Sequence, residues 1–210
     1  MVNVLSCLAG SDEWGIMSYQ ILGLLLFVIG CSQLLGVMDQ VEPEIVLFVQ
    51  SKFRSKPTLV LFTELWFFGR TSFTLVALLL LTCFDWKKGL VAAGVYFLAA
   101  GIEHYLKKFS QRDRPFSSSP EIAMLQPIEP LDSSFPSGDT LRVWYLALIV
   151  PAAMGDSRYF LTVVISLAVL VTLGRMVMGV HFFTDTLAGA GLGFLGAGTT
   201  IWLWNLIPFF

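Results

Sequence analysis

Apolar residues run in long blocks, and short charged or turn-forming clusters separate them. Residues 18–38 form a nearly uncharged block, long enough to cross bilayer hydrocarbon as a helix. Residues 39–57 differ: VEPEIVLFVQSKFRSKP alternates charged and apolar positions. That pattern predicts an interfacial amphipathic segment with Lys52, Arg54 and Lys56 at the headgroups. Residues 58–84 are apolar again but broken by Glu64, Gly69 and Arg70, which predicts a short approach helix and then a span over 71–84. Glu64 is costly in hydrocarbon, so it is expected to face protein, water or a partner such as Arg70. The turn Asp85-Trp86-Lys87-Lys88 leads into a block at 89–106, followed by a polar stretch at 107–139 rich in Pro and Ser. Blocks at 140–154, 159–177 and 182–206 complete the chain. The pattern predicts an all-α integral membrane protein with six transmembrane helices, short interfacial amphipathic helices (one within residues 1–17) and both termini on one side. The last block carries Gly189, Gly191, Gly193, Gly196 and Gly198, which favours close helix packing.

Composition fits this picture. The chain is 56% hydrophobic and 13% charged, with a mean hydropathy of +0.75. Its 210 residues suit a single membrane-embedded domain. The net charge of −2 and the lack of a basic tract give no sign of nucleic acid as a partner. Cys7, Cys31 and Cys83 have no metal-type spacing, and with only two histidines a zinc site is not expected. The first residues lack a basic n-region, so no cleaved signal peptide is expected. Charge does not settle orientation: cytoplasmic termini put Lys87, Lys88 and Arg158 inside, but leave most other basic residues outside.

Candidate chemistry concentrates in three polar stretches that this topology brings to one membrane face. Residues 175–185 hold Arg175, His181 and Asp185; in a helix starting near His181, Asp185 lies one turn on. A carboxylate there can hold one imidazole nitrogen as a donor, leaving the other free as nucleophile or base. The plain alternative is a satisfied histidine at a helix end beside a salt-bridging arginine. The other stretches are 107–115, with Lys107 and Arg114, and 135–139, with Ser137, Gly138 and Asp139. Lys107, Arg114 and Arg175 supply cations, and Ser137 and the Gly138 amide supply neutral donors. A helix starting after Gly138 would aim its free amides at an anion. Together they could hold a phosphoryl group in line with a nucleophile.

The pattern Lys-x6-Arg-Pro, Pro-Ser-Gly-x and Arg-x5-His-x3-Asp over residues 107–185 resembles the type 2 phosphatidic acid phosphatase superfamily, which includes membrane lipid phosphatases and soluble vanadium haloperoxidases. The resemblance implies that Lys107, Arg114, Ser137, Gly138 and Arg175 bind phosphate. It also implies that His181 attacks phosphorus to give a phosphohistidine, that Asp185 orients it, and that no metal or other cofactor is needed. Two positions depart from the family pattern. Gly174 replaces a serine, at a cost of about one hydrogen bond. Asp139 stands where the family has a second histidine that protonates the leaving group. A carboxyl acts as an acid only if its pKa is raised; a phosphate nearby would raise it and Arg142 would lower it. Protonation matters less when the leaving group is itself a phosphate, so Asp139 points toward a lipid diphosphate.

Other polar groups read more simply. Lys108 and Arg112 are expected as solvated loop cations, His104 in a structural or headgroup role, and Asp132 and Glu129 as solvated. Trp202, Trp204, Phe209 and Phe210 are expected as an interfacial belt. The function expected is hydrolysis of a membrane lipid phosphate, best a polyprenyl diphosphate, in a bacterial inner membrane with the site facing the periplasm. The lipid tail would reach the site laterally between helices. Alternatives are a phosphatidylglycerophosphate or phosphatidic acid phosphatase, a lipid phosphotransferase, and a non-catalytic lipid-phosphate binder or transporter.

Overall fold

The computed structural model describes residues 13–155 and 158–206. Among them all regular structure is helical: α1 (Glu13–Gly30), α2 (Glu42–Lys52), α3 (Lys56–Trp66), α4 (Thr71–Phe84), α5 (Trp86–Ser110), the single turn α6 (Pro115–Ser118), α7 (Gly138–Met154), α8 (Arg158–Val177) and α9 (Phe183–Leu206). Short 3-10 turns follow α1 (Cys31–Leu35) and α3 (Phe67–Gly69). The helix expected within residues 1–17 lies mostly outside the described residues, and α1 starts before the block expected at 18–38.

Among the described residues four stretches are long and apolar enough to cross a membrane: Gly15–Leu35, Trp86–Ser118, Tyr159–Val177 and Phe183–Leu206. The pair Lys56–Gly69 and Thr71–Phe84, bent by 48°, makes a fifth if counted as one broken span. The expected count of six is not reached by this measure. The 17 residues of α7 and the 14 of α4 rise only about 25 and 21 Å, against a hydrocarbon core of about 30 Å.

Helix α9 is the centre of the fold, packed against α1 on one side and α7 on the other. Its glycines permit this: a Cβ on Gly191 would meet the Phe27 amide nitrogen at 2.5 Å, and one on Gly189 would collide with the Ser137 carbonyl. The main core is apolar, with Tyr19, Leu78, Tyr96, Leu141, Tyr145 and Ile201 among its buried members. Tyr145 keeps its one polar atom satisfied there, its hydroxyl donating to the Ala92 carbonyl at 2.7 Å and lying 2.8 Å from Thr200 Oγ1. Leucines and valines on the outer faces of α1, α4 and α5 (Leu24, Val28, Leu79, Leu98) are exposed, as lipid-facing positions should be.

At one end, Asp85 caps α5 by accepting from the Lys87 and Lys88 amides, and Trp204 donates its indole N–H to the Lys88 carbonyl at 3.1 Å. Trp204 is therefore buried and packs the helix ends together instead of joining a belt; Trp202 is exposed, and Phe209 and Phe210 lie outside the described residues. At the other end, α5 runs about 37 Å by its 25 residues, past the thickness of the hydrocarbon, and carries Lys107 in its last turn. The irregular stretch 119–137 folds over that end. Helix α2, read as interfacial, does expose Lys52, yet turns Glu42, Val46 and Gln50 inward, one turn apart on one face. Gln50 donates to the Ala123 and Val177 carbonyls at 2.7 and 3.1 Å, fastening the irregular stretch to the end of α8.

Candidate active site

The break between α3 and α4 builds one wall of the site. With the helix interrupted at Phe67–Gly69, the Gly69 carbonyl is free of a helical partner and accepts from Arg142 Nε at 2.7 Å. Trp66, just before the break, donates its indole N–H to Asp139 Oδ2 at 3.2 Å. Glu64 on the same helix is exposed, and Arg70 stacks over the Trp66 ring at 5.1 Å.

The N-terminus of α7 forms the floor. Ser137 caps it, its Oγ accepting from the Thr140 amide at 3.4 Å and from the Thr140 hydroxyl at 3.0 Å. Ser137 is fully buried behind the cavity wall, and its own O–H is still available to donate. Gly138 lines the cavity directly, and any Cβ there would sit 2.6 Å from Glu103 Oε1. Asp139, in the first turn, pairs with Arg142 at 2.7 Å and with Arg175 at 3.0 Å. A carboxyl held between two guanidiniums is held as the anion.

His181 lies in the short loop between α8 and α9, 2% exposed. Its Nε2 is 3.4 Å from Arg114 Nη1. A guanidinium can only donate, so Nε2 is the acceptor and the ring proton sits on Nδ1. Nδ1 points to Asp185 Oδ2, but at 3.7 Å, beyond hydrogen-bond length, and Nδ1 makes no hydrogen bond. That Asp185 oxygen instead accepts from the Ser134 hydroxyl at 2.5 Å and the Phe182 amide at 2.8 Å. Burial first, then the charges of Arg114 and Arg175, push the His181 pKa well below the usual imidazole range, so the ring is neutral.

Of the expected phosphate ligands, Lys107, Arg114, Gly138 and Arg175 line a cavity of about 210 Å³ together with Asp139, His181, Trp66, Gln126, Asp132 and Arg142; Ser137 does not reach it. Arg175 is 2% exposed and donates to Gln126 Oε1 at 2.5 Å, while its Nε and Nη1 have no hydrogen-bond partner among the described residues. Orphaned buried guanidinium donors are costly unless an anion meets them, so the arrangement suits an oxyanion. A larger groove of about 850 Å³, lined by His104, Lys108 and Gln111, opens beside the cavity and shares Lys107, Arg114 and Asp132 with it.

Two simple readings of the sequence are corrected here. Arg112 is not a solvated loop cation: it donates to Asp185 Oδ1 at 2.6 Å and to Thr184 at 3.0 Å, and pairs with buried Glu42. Glu42 in turn accepts from the Thr184 amide at 2.8 Å and caps α9. Asp132 is not merely solvated: it bridges Lys107 at 2.5 Å and Arg114 at 2.6 Å. Partial burial alone would raise its carboxyl, but Lys107 and Arg114 outweigh this and bring it down to about 2. Lys108 and Glu129 are exposed, as expected, and His104 is exposed as well. A Cβ on Gly174 would meet the Phe62 ring at 2.9 Å, so α3 fills the space a serine would need.

Sequence reasoning missed Glu42, Glu103, Trp66 and Gln126. The period-four series Glu42-Val46-Gln50 and the i,i+4 pair Glu103–Lys107, whose groups lie 3.1 Å apart, were signals for two of them. Nothing local marks Trp66 or Gln126, which reach the site only through tertiary folding.

Comparison with known proteins bears on the family and the fold. The family model of the PAP2 superfamily matches residues 88–208, more than half the chain. Among curated proteins no sequence matches. Of solved structures, the first transmembrane PAP2-type phosphatidylglycerolphosphate phosphatase from Bacillus subtilis aligns with a TM-score of 0.76 at 22% identity, over 91% of this chain and 98% of that one. Aquifex aeolicus LpxE aligns with a TM-score of 0.68 at 24% identity, over 76% of this chain and 94% of that one. At such identities the two structures speak for the fold alone, and the family match carries the family: the chain belongs to the PAP2 superfamily.

Proposed function

We propose that this chain is a metal-independent membrane lipid phosphatase that removes the terminal phosphate of a polyprenyl diphosphate through a phosphohistidine. Neutral His181 attacks phosphorus with the Nε2 lone pair. The bridging P–O bond breaks, and the lipid monophosphate leaves with that oxygen. Lys107, Arg114, Arg175, Ser137 and the Gly138 amide hold the transferring oxygens, and the orphaned Arg175 donors support this assignment. Asp185 takes up the charge that develops on the imidazolium by closing the 3.7 Å gap to Nδ1–H. Water then attacks the phosphohistidine, releasing inorganic phosphate and restoring the ring.

The observation that favours a diphosphate is the double ion pair of Asp139 with Arg142 and Arg175. An ionised Asp139 has no proton for a departing alkoxide, whereas a lipid phosphate is a weak base and leaves without one. A second reading, hydrolysis of a monoester such as phosphatidylglycerophosphate, is favoured by the Bacillus subtilis protein, whose fold this chain follows over 91% of its length. We place the enzyme in a bacterial cytoplasmic membrane with the site on its outer face.

The test is phosphate release by the purified protein in detergent from a polyprenyl diphosphate and a lipid monophosphate side by side, with and without chelator. Faster release from the diphosphate, unaffected by chelator, is expected. Preference for the monophosphate would transfer the proposal to the second reading, and release from neither would overturn both.

A further inference from the structure

Of the cations that line the cavity, Lys107 and Arg114 are joined by a carboxylate that is not part of a rigid element. Asp132 belongs to the irregular stretch between α6 and α7, and its side chain is 55% exposed. Its oxygens divide between the two cations, Oδ2 on Lys107 at 2.5 Å and Oδ1 on Arg114 at 2.6 Å. Two oxygens of one phosphate would make the same bridge. Arg114 also lies 3.4 Å from His181 Nε2, so the carboxylate stands beside the nitrogen expected to react.

The backbone is arranged to stay when the side chain leaves. Arg114 Nε donates to the Asp132 carbonyl at 2.9 Å, and Nη1 donates to the Val180 carbonyl at 2.8 Å. Rotation of the Asp132 side chain toward the adjoining 850 Å³ groove therefore frees the cations without unfastening the loop or Arg114. Lys107 keeps Glu103 at 3.1 Å throughout, and exposed Glu129 and paired Asp139 complete the acidic surroundings of the cavity.

From this geometry we infer that Asp132 is an internal competing anion that sets the binding threshold of the site: a terminal phosphate dianion binds tightly enough to displace it and a phosphodiester monoanion does not. The inference rests on the phosphatase reading above for its substrate. The exchange argument is electrostatic. A diester brings one negative charge and would replace one negative charge, with no Coulombic gain over a carboxylate already tethered at an effective concentration in the millimolar range or above. A terminal phosphate brings close to two charges and three acceptor oxygens, so it gains on both counts. The distinction matters because a bilayer surrounds the site with phosphodiester headgroups, which would otherwise occupy the cations by abundance alone.

The test compares wild type with Asp132→Asn, which keeps shape and removes charge, in mixed micelles with a fixed mole fraction of lipid diphosphate. Phosphatidylglycerol serves as the diester competitor and inorganic phosphate as the dianion. A ligand that must displace the carboxylate gains the same factor whatever its own charge, so removing the charge should lower both inhibition constants by roughly tenfold. Phosphatidylglycerol, which should hardly inhibit wild type, should then become an inhibitor. Asp132→Glu, with the charge kept, should exclude the diester as wild type does. No shift for either competitor, phosphatidylglycerol inhibiting wild type as strongly as it inhibits Asp132→Asn, or loss of exclusion in Asp132→Glu would each overturn the inference. If Asp132→Asn does not elute as a folded protein, Asp132→Ser at this half-exposed position decides by the same criterion. Calorimetric binding of the two competitors reads the same shifts without turnover. A wild type that binds with the expected selectivity but releases no phosphate would overturn the proposed function and leave the filter standing.

Discussion

Asp132 and Asp139 do the same chemical job in opposite ways. Each is a carboxylate bridging two cations of the cavity: Asp132 joins Lys107 to Arg114, and Asp139 joins Arg142 to Arg175. Asp139 sits in the first turn of α7 with its side chain 13% exposed and accepts a third contact from Trp66. Asp132 sits in irregular chain with its side chain 55% exposed. The first is part of the wall, since moving it would strip two buried guanidiniums of their partner at once. The second is already half wet, so it can leave for water once another anion takes its place on Lys107 and Arg114. One end of the site is thus fixed, and the other accepts a competing anion.

This contrast has meaning only if the reacting group lies between the two carboxylates. His181→Ala is the severest check. Turnover should fall on the order of 10³-fold or more, with the melting temperature close to wild type. Activity near wild type would remove His181 as nucleophile, and with it the reason to compare the flanks. Next in size is Arg175→Lys. The buried guanidinium holds Asp139 with one nitrogen and leaves two donors free, a geometry that an ammonium cannot reproduce, so kcat/KM should drop roughly 10²-fold. A loss below threefold would show that the fixed end does not touch the transferring phosphate.

Asp139→His sharpens the contrast from the fixed side by supplying the acid that the family pattern has there. The ratio of monophosphate to diphosphate turnover should rise about tenfold, less than the roughly 100-fold or more of a well-positioned general acid, because the new ring enters a place shaped for a carboxylate. An unchanged ratio would mean that leaving-group protonation does not set the preference.

The features legible in the sequence were those carried by local pattern. Apolar blocks marked the helices, the Glu64–Arg70 interruption marked the break between α3 and α4, and three short motifs marked His181, Arg175, Arg114 and Lys107. The features hidden from it were pairings between distant segments. Charge type alone cannot say that Glu42, 70 residues before Arg112, is its partner, or that a half-exposed Asp132 spans two cations. A charged residue in a polar stretch is most simply read as solvated, and only the folded chain reveals that α2 turns its acid inward. The spacing His181-x3-Asp185 was read as a contact, and the 3.7 Å separation reflects competition: Ser134 and the Phe182 amide reach that carboxylate oxygen first.

The smallest effect expected is on the pH profile, and it separates the two flanks without disturbing either His181 or Arg175. Because kcat/KM reports the free enzyme and free substrate, its acid limb follows whichever essential group gains a proton first as pH falls. His181 is held well below the ordinary imidazole range by burial and by Arg114 and Arg175, so it stays neutral through mildly acidic pH. Asp132, at about 2, stays ionised over the same window. The limb should therefore come from the substrate, whose terminal phosphate passes from dianion to monoanion near about pH 6. With Asp132 in place that monoanion is a poor competitor, and the rate should fall as pH drops through this value. In Asp132→Asn both forms of the substrate are spared the same competitor, so the plateau above pH 7 should rise while the limb stays near the same pH. A plateau that does not rise would mean that the substrate does not displace the internal carboxylate, and Asp132 would then be as much a fixture as Asp139.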